Sequence, residues 1–290
     1  SQGPLQELIE NNVGTITVDK HDVVYGSGVY DGNLYIDLVN DKSLLYRMMM
    51  LPYLKNNNHN IFMLGLSSGA WATVLAAMPS VKHITIVEIN PGYLNIIKKY
   101  SPQNTLLTNP KVNIIIDDGR RWLLRHPHKK FDAIVMNTTY HWRMFSSLLL
   151  SKEMLQLAKQ HLTNTGVIYY NTTFSKRAIA TALSKFKYVT TLYNFVAASN
   201  APFDYNLNNL LTCLKQSRIN GKPLVNWSSP EGQQTIQRYE AIAASIHTTH
   251  KIFTPERFTQ QSILQYDTRH LKLITNDNMG SEWKFRFTGK

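Results

Sequence analysis

Four short segments carry the residue types that could do chemistry. The first is Gly65-Leu66-Ser67-Ser68-Gly69, where small side chains let backbone amides approach a ligand and open the helix that follows. The second is Glu88, which follows Gly65 at the interval of about 20 residues at which an acidic side chain accepts both hydroxyls of a ribose. Its neighbour Ile89 is expected to contact the same ligand. The third is Asp117-Asp118-Gly119, where an aspartate can accept from an adenine amino group. The fourth is Asn137-Thr138-Thr139-Tyr140-His141-Trp142-Arg143, a polar, aromatic and basic stretch. There His141 has the pKa of a general base, Tyr140 can orient a nucleophile, and Arg143 can hold an acceptor's anionic group. No G-x-G-x-x-G or Walker lysine occurs, which favours a nucleoside without a pyrophosphate.

Such segments work only at the ends of strands, and the pattern around them supplies strands. Apolar runs at 61–64, 83–87, 112–116, 131–136 and 166–170 alternate with helices predicted over 70–78, 91–99, 120–125, 151–161 and 175–186. Continuous apolar strands separated by helices mark a parallel sheet covered on both faces, here a doubly wound α/β fold. Ligands in such sheets sit beyond the carboxyl ends of the strands, where all four segments fall. Before them, strands at 14–18, 23–25 and 33–37, the last after an Asp31-Gly32 turn, predict a small antiparallel sheet, followed by a helix over 44–54. The expected domains are 1–54 and a nucleoside-binding domain over 55–290, with a C-terminal extension from about 218. Residues 188–196 and 210–215 read as the last strands, and 270–275 with 282–287 as a closing hairpin.

Composition narrows the partners. The 290 residues carry a net charge of +12, 43% hydrophobic residues and a single cysteine, Cys213. That excludes a disordered tail, an intramolecular disulfide and a cysteine-cluster zinc site. The uncharged stretch 61–79 is long enough to raise the question of a membrane span, but the glycines and serines at its centre make it a strand, turn and helix. Ser1-Gln2-Gly3-Pro4 lacks an initiator Met and reads as a trimmed start, with a removed N-terminal membrane segment one expectation. No H-E-x-x-H motif or carboxylate–histidine cluster stands at ligand spacing, so no metal is expected. No basic stripe interleaved with aromatics defines a nucleic-acid groove.

The four segments, in this order, resemble the spermidine synthase family, built on the class I S-adenosylmethionine-dependent methyltransferase fold with a small N-terminal β-domain. The likeness runs from about Val23 to Phe186, returns in the tail 274–279, and is nearest to a bacterial branch fused to membrane segments. Val87-Glu88-Ile89-Asn90 stands for the family's Val-Glu-Ile-Asp, and Asp118-Gly119 for its adenine-side pair. The resemblance implies S-adenosylmethionine or its decarboxylated form as donor, and methylthioadenosine or S-adenosylhomocysteine as product. It also implies a small-molecule acceptor and a homodimer.

Three departures bear on the acceptor. Ser68 replaces the aspartate that holds the donor's amino end, Asn137 replaces the aspartate that helps deprotonate the attacking amine, and Tyr140 replaces the one that grips a polyamine. Removing a charge-assisted contact to an ammonium costs roughly 1.5–3 kcal/mol. The expectation is therefore transfer of an aminopropyl, aminocarboxypropyl or methyl group to an acceptor that is not a simple diamine. A true polyamine aminopropyltransferase and a non-catalytic nucleoside-binding module stand as alternatives. The charge of +12 suggests a cytoplasmic station, at the inner face of the inner membrane if the chain is part of a longer one, or an acceptor with a negative group.

Overall fold

Two kinds of strand follow from two kinds of burial. The N-terminal strands β1 (Leu5–Asn11), β2 (Gly14–Asp19), β3 (Val23–Gly26) and β4 (Val29–Asn33) form an antiparallel sheet in that order. The apolar runs become β5 (Asn60–Leu64), β6 (His83–Glu88), β7 (Val112–Ile116), β8 (Phe131–Met136) and β9 (Leu162–Asn171). With β10 (Tyr188–Leu192) and β11 (Phe195–Ser199) they make a seven-stranded sheet of order β10-β11-β9-β8-β5-β6-β7. β5 and β6, β6 and β7, and β8 and β9 pair parallel, whereas β11 runs antiparallel to β9 and β10. A short pair, β12 (Arg218–Ile219) and β13 (Lys222–Pro223), stands apart. The computed structural model describes residues 4–137, 146–172, 175–248 and 272–278. The fold is the mixed α/β arrangement expected from the sequence, a large mostly parallel sheet with a separate N-terminal sheet.

The helices are α1 (Tyr46–Met49), α2 (Leu51–Leu54), α3 (Ala70–Ala77), α4 (Gly92–Lys99), α5 (Gly119–Arg125), α6 (Ser146–Leu149), α7 (Lys152–His161), α8 (Lys176–Leu183), α9 (Leu207–Gln216) and α10 (Pro230–Thr248). The chain divides into two compact units, 1–119 with 204–243, and 120–203 with 244–290. In the first, every residue of α3 is buried, so the uncharged stretch after β5 is core. No described helix is long and apolar enough to cross a membrane. In the second, α7 and α8 start on serine caps. Ser151 accepts from the Met154 amide at 3.1 Å and Ser175 from the Ala178 amide at 3.2 Å. The segment 272–278 is tied to these helices: the Lys152 amide donates to the Ile274 carbonyl at 2.8 Å, and the Ile274 amide to Thr181 Oγ1 at 3.0 Å.

Several expectations need correcting. The N-terminal hairpin turns at Ser27-Gly28, both at positive φ, so Asp31 and Gly32 lie inside β4 and 34–37 is not a strand. A further strand, β1, precedes the three expected. The helix over 44–54 is two short helices, and Pro52 stands in the first turn of the second. Residues 188–196 are not one strand but lie within a hairpin, β10 and β11. Residues 210–215 belong to helix α9, because Leu210, Cys213 and Leu214 recur at i, i+3 and i+4 and Asn206 caps it through the Asn209 amide. Lys272 to Thr275 is not a strand. The other half of that hairpin, 282–287, lies outside the described residues.

Ser151 is fully buried, with its hydroxyl also 2.9 Å from Asn276 Oδ1. Ser151→Ala should cost about 1 kcal/mol of stability, read as a lower urea midpoint with an unchanged slope.

Candidate functional site

The first unit gathers the nucleoside-type residues at the carboxyl ends of β5, β6 and β7. β5 ends in Gly65, at φ 90°, whose amide donates to the Val87 carbonyl at 2.9 Å. Ser67 takes φ 52° and Gly69 φ 75°, which reverses the chain into α3 within a few residues. A side chain on Gly69 would be strained by that φ and would meet Ile97 at 2.9 Å. Ser68 is buried, and its hydroxyl accepts from the Ala70 amide at 3.4 Å, at the start of α3. Ser67 Oγ donates to the Asp31 carbonyl of β4.

Glu88 closes β6 and is buried. Its Oε2 accepts from the Leu66 amide at 2.6 Å, and its Oε1 from the Asn90 amide at 2.8 Å. One carboxylate thus ties the turn after β5 to the loop that enters α4. Burial pushes its pKa up to about 6, the backbone amides act against that shift, and repulsion from Asp31 adds to it. Asn90 extends the arrangement, since its Oδ1 accepts from the Gly92 amide at 2.9 Å and from Asn11 Nδ2 at 2.7 Å.

Beyond β7, the Asp117 amide donates to the Glu88 carbonyl at 3.1 Å, and Asp117 Oδ1 accepts from the Asp118 amide at 2.8 Å. A Cβ on Gly119 would fall 2.6 Å from Leu64 Cδ1, so the chain passes close over the end of β5. Ile89 and Ile116, 56% and 42% exposed, present apolar faces at the ends of β6 and β7. A buried acceptor, glycine-rich backbone and two exposed isoleucines suit an adenosyl group, with hydroxyls for the carboxylate and a flat apolar ring for the isoleucines. Gly65, Ser67, Ser68, Gly69, Glu88, Ile89, Asp117, Asp118 and Gly119 are all found here.

The reacting loop is less fully described. Asn137 follows β8 in the second unit and is half-buried. Tyr140, His141 and Arg143 lie outside the described residues. Sequence reasoning missed two neighbours of the turn. The sequence pattern places Asp31 in a hairpin turn, and Tyr93 of α4, whose hydroxyl donates to the Asp31 carboxylate, carries no motif.

Comparison with known proteins agrees with this architecture. A solved spermidine synthase from Thermotoga maritima superposes with a TM-score of 0.61, covering 79% of this chain and 88% of that one at 15% identity. A spermidine synthase in complex with the transition state analogue AdoDATO gives 0.62 at 16% identity, with the same coverage. At these identities the likeness is one of fold. The polyamine aminopropyltransferase of Sulfurisphaera tokodaii is 26% identical over 145 residues, which are 48% of this chain and 47% of that protein. The polyamine aminopropyltransferase of Prochlorococcus marinus is 23% identical over 183 residues, 59% of this chain and 64% of the other. The chain thus spans about half the length of the first of these relatives and under two thirds of the second. The sequence profile of the spermine/spermidine synthase domain matches residues 44–205, more than half of the chain, and the chain belongs to that family.

Proposed function

We propose that the chain is an aminopropyltransferase that takes its donor group from decarboxylated S-adenosylmethionine and delivers it to an amine of the polyamine class. The observation that carries this reading is Glu88, a buried carboxylate at the end of β6 fixed to the glycine turn after β5, in a chain of the spermine/spermidine synthase family. The aminopropyltransferase relatives favour this acceptor over the non-diamine acceptor expected from the motif departures.

In this reading Glu88 accepts from the ribose hydroxyls and Asp117 and Asp118 from the adenine side, with Gly119 leaving room for the ring. Ile89 packs on the adenine face. Gly65, Ser67, Ser68 and Gly69 shape the backbone around the sulfur end. The sulfonium supplies a carbon activated toward nucleophiles and a neutral thioether leaving group, methylthioadenosine. The amine forms its C–N bond as the C–S bond breaks, and its proton passes to a base. His141 is assigned as that base, with Tyr140 and Asn137 orienting the amine. A second reading, in which the acceptor carries an anionic group held by Arg143, is favoured by one feature: Asn137 and Tyr140 are neutral. The charge of +12 supports a cytoplasmic station near an anionic surface, and a homodimer rests on the family resemblance alone.

Incubating the chain with decarboxylated S-adenosylmethionine and putrescine should release methylthioadenosine. Release only with an anionic amine would select the second reading. Binding of neither the donor nor methylthioadenosine would overturn both. His141→Ala should lower kcat by about a hundredfold or more, while methylthioadenosine binds unchanged; an unchanged rate would remove its role as base.

The Glu88 value of about 6 fixes a pH dependence. Ribose hydroxyls donate to the ionised carboxylate, so binding selects that form and pulls the pKa down. Nucleoside affinity should be flat above pH 7 and fall about tenfold per unit below 6, which calorimetry between pH 5 and 8 would measure. A flat profile across that range would count against Glu88 as the ribose acceptor.

A further inference from the structure

Charge is unevenly shared between the two units. Of the 31 basic and 19 acidic residues, 1–119 with 204–243 carry twelve and thirteen, and 120–203 with 244–290 carry nineteen and six. The positive excess of the whole chain therefore belongs to the second unit. Within it, the run from Arg120 to Lys130 holds five basic residues and no acidic one, and no acidic residue occurs between Glu153 and Asp204. Such one-sided composition suits an anionic partner for that unit.

The structure gathers part of this excess at one end of the unit's strands. β8 and β9 run parallel, and β10 runs with them because both β9 and β10 are antiparallel to β11. The segments 126–130, 159–161 and 184–187 enter these strands at their amino ends. Two hydrogen bonds stitch the segments together, from Lys130 Nζ to the Gln160 carbonyl and from Lys159 Nζ to the Lys185 carbonyl. Asn137 stands at the other end of β8, about 20 Å away. Arg121, Arg125, Lys129 and Lys187 are exposed, and Leu124 is 66% exposed. Arg121, Leu124 and Arg125 recur at i, i+3 and i+4, so an apolar side chain stands between two cations on one face of α5. The aromatic rings here turn inward: Trp122 is buried and stacked on His126, with centroids 4.1 Å apart, and Phe131 and Phe186 are buried. Helix dipoles favour cations in last turns, as at Arg125 and Lys159. They give no reason for Arg121 in a first turn, for Lys129 and Lys187 in loops, or for an exposed leucine among them. A nucleic acid would find cations for its phosphates but no exposed ring on which to stack a base, and would leave Leu124 in water. An anionic membrane supplies both complements, phosphate headgroups for the cations and an acyl boundary for the leucine.

We propose that α5 and the segments entering β8 and β10 dock the second unit on an anionic lipid surface, with Leu124 at the acyl boundary and the carboxyl end of β8 left toward water. The inference narrows the anionic surface suggested by overall charge to one face of one unit. It does not depend on the transferase reading.

Co-sedimentation with vesicles tests it, using phosphatidylcholine alone and phosphatidylcholine mixed in equal parts with phosphatidylglycerol. At about 0.1 M salt the chain should partition onto the anionic vesicles about tenfold or more better than onto the neutral ones, and about 1 M salt should abolish the difference. Lys129→Glu with Lys187→Glu should weaken partition onto the anionic vesicles about tenfold or more, and Leu124→Ser about threefold or more. Lys82→Glu with Lys98→Glu, the same charge change on exposed lysines of the first unit, should leave it within about twofold. Equal partition onto the two kinds of vesicle would overturn the proposal. So would equal losses in the two lysine pairs, which would mark attraction by net charge alone, or an unchanged affinity in Leu124→Ser, which would leave a charged patch without an apolar anchor. Tighter binding of a DNA duplex than of anionic vesicles at the same salt would assign the face to nucleic acid and overturn it as well. If a variant does not fold, as read by its urea midpoint, the vesicle contrast in the unaltered chain decides. Vesicle binding by a chain that binds no nucleoside removes the proposed function and leaves this inference standing. Nucleoside binding without vesicle discrimination removes this inference alone.

Discussion

The grip of Glu88 on two backbone amides is the constraint around which the first unit is built. Its oxygens reach back to Leu66 and forward to Asn90, so the exit of β5 and the entry to α4 are set by one side chain at the end of β6. Burying a carboxylate is costly, and its raised pKa records that cost. The amides offset part of it, and in return they are held where a ligand can meet them. A neutral glutamine there could accept from one amide but would turn an N–H toward the other. The acid is required by the backbone before any ligand arrives.

That constraint explains the small residues around it. Ser67 and Ser68 lie against β4, where Ser67 donates to the Asp31 carbonyl and Gly32 leaves no room for a side chain. Asn11 of β1 reaches Asn90, so the N-terminal sheet is also fastened to the loop that Glu88 holds. Serine at 68 accepts from the first amide of α3.

Sequence legibility followed burial. β5, β6, β7 and β8 could be read to within a residue or so, because their short apolar runs are rich in β-branched and aromatic residues between polar boundaries. Glu88 and the turn could be read from spacing, since both sit at strand ends where the parallel sheet fixes the interval. The N-terminal hairpin could not. Ser27-Gly28 and Asp31-Gly32 are both turn signals four residues apart, and the pairing of β3 with β4 decides between them, which is a tertiary fact. Leu210-Leu211-Thr212-Cys213-Leu214 failed for another reason. A five-residue apolar run fits a strand as well as a buried helix face, and the cap at Asn206 outweighs it.

Net charge therefore needs a different use from the one it first invited. A value of +12 over 290 residues suggests that a cationic acceptor would be repelled. Long-range terms of that kind are screened within about 8–10 Å at physiological ionic strength, whereas side chains at contact distance act in a lower dielectric. At contact distance Glu88 accepts from the Leu66 amide of the turn, with Asp117 and Asp118 at the next strand end. Much of the positive excess lies in stretches such as Arg120 to Lys130, which carries Arg120, Arg121, Arg125, Lys129 and Lys130. Global charge bears on association with anionic surfaces, and the local carboxylates bear on which ligand is held. A basic chain with an acidic site is a consistent object, and its overall charge gives no argument against a cationic substrate.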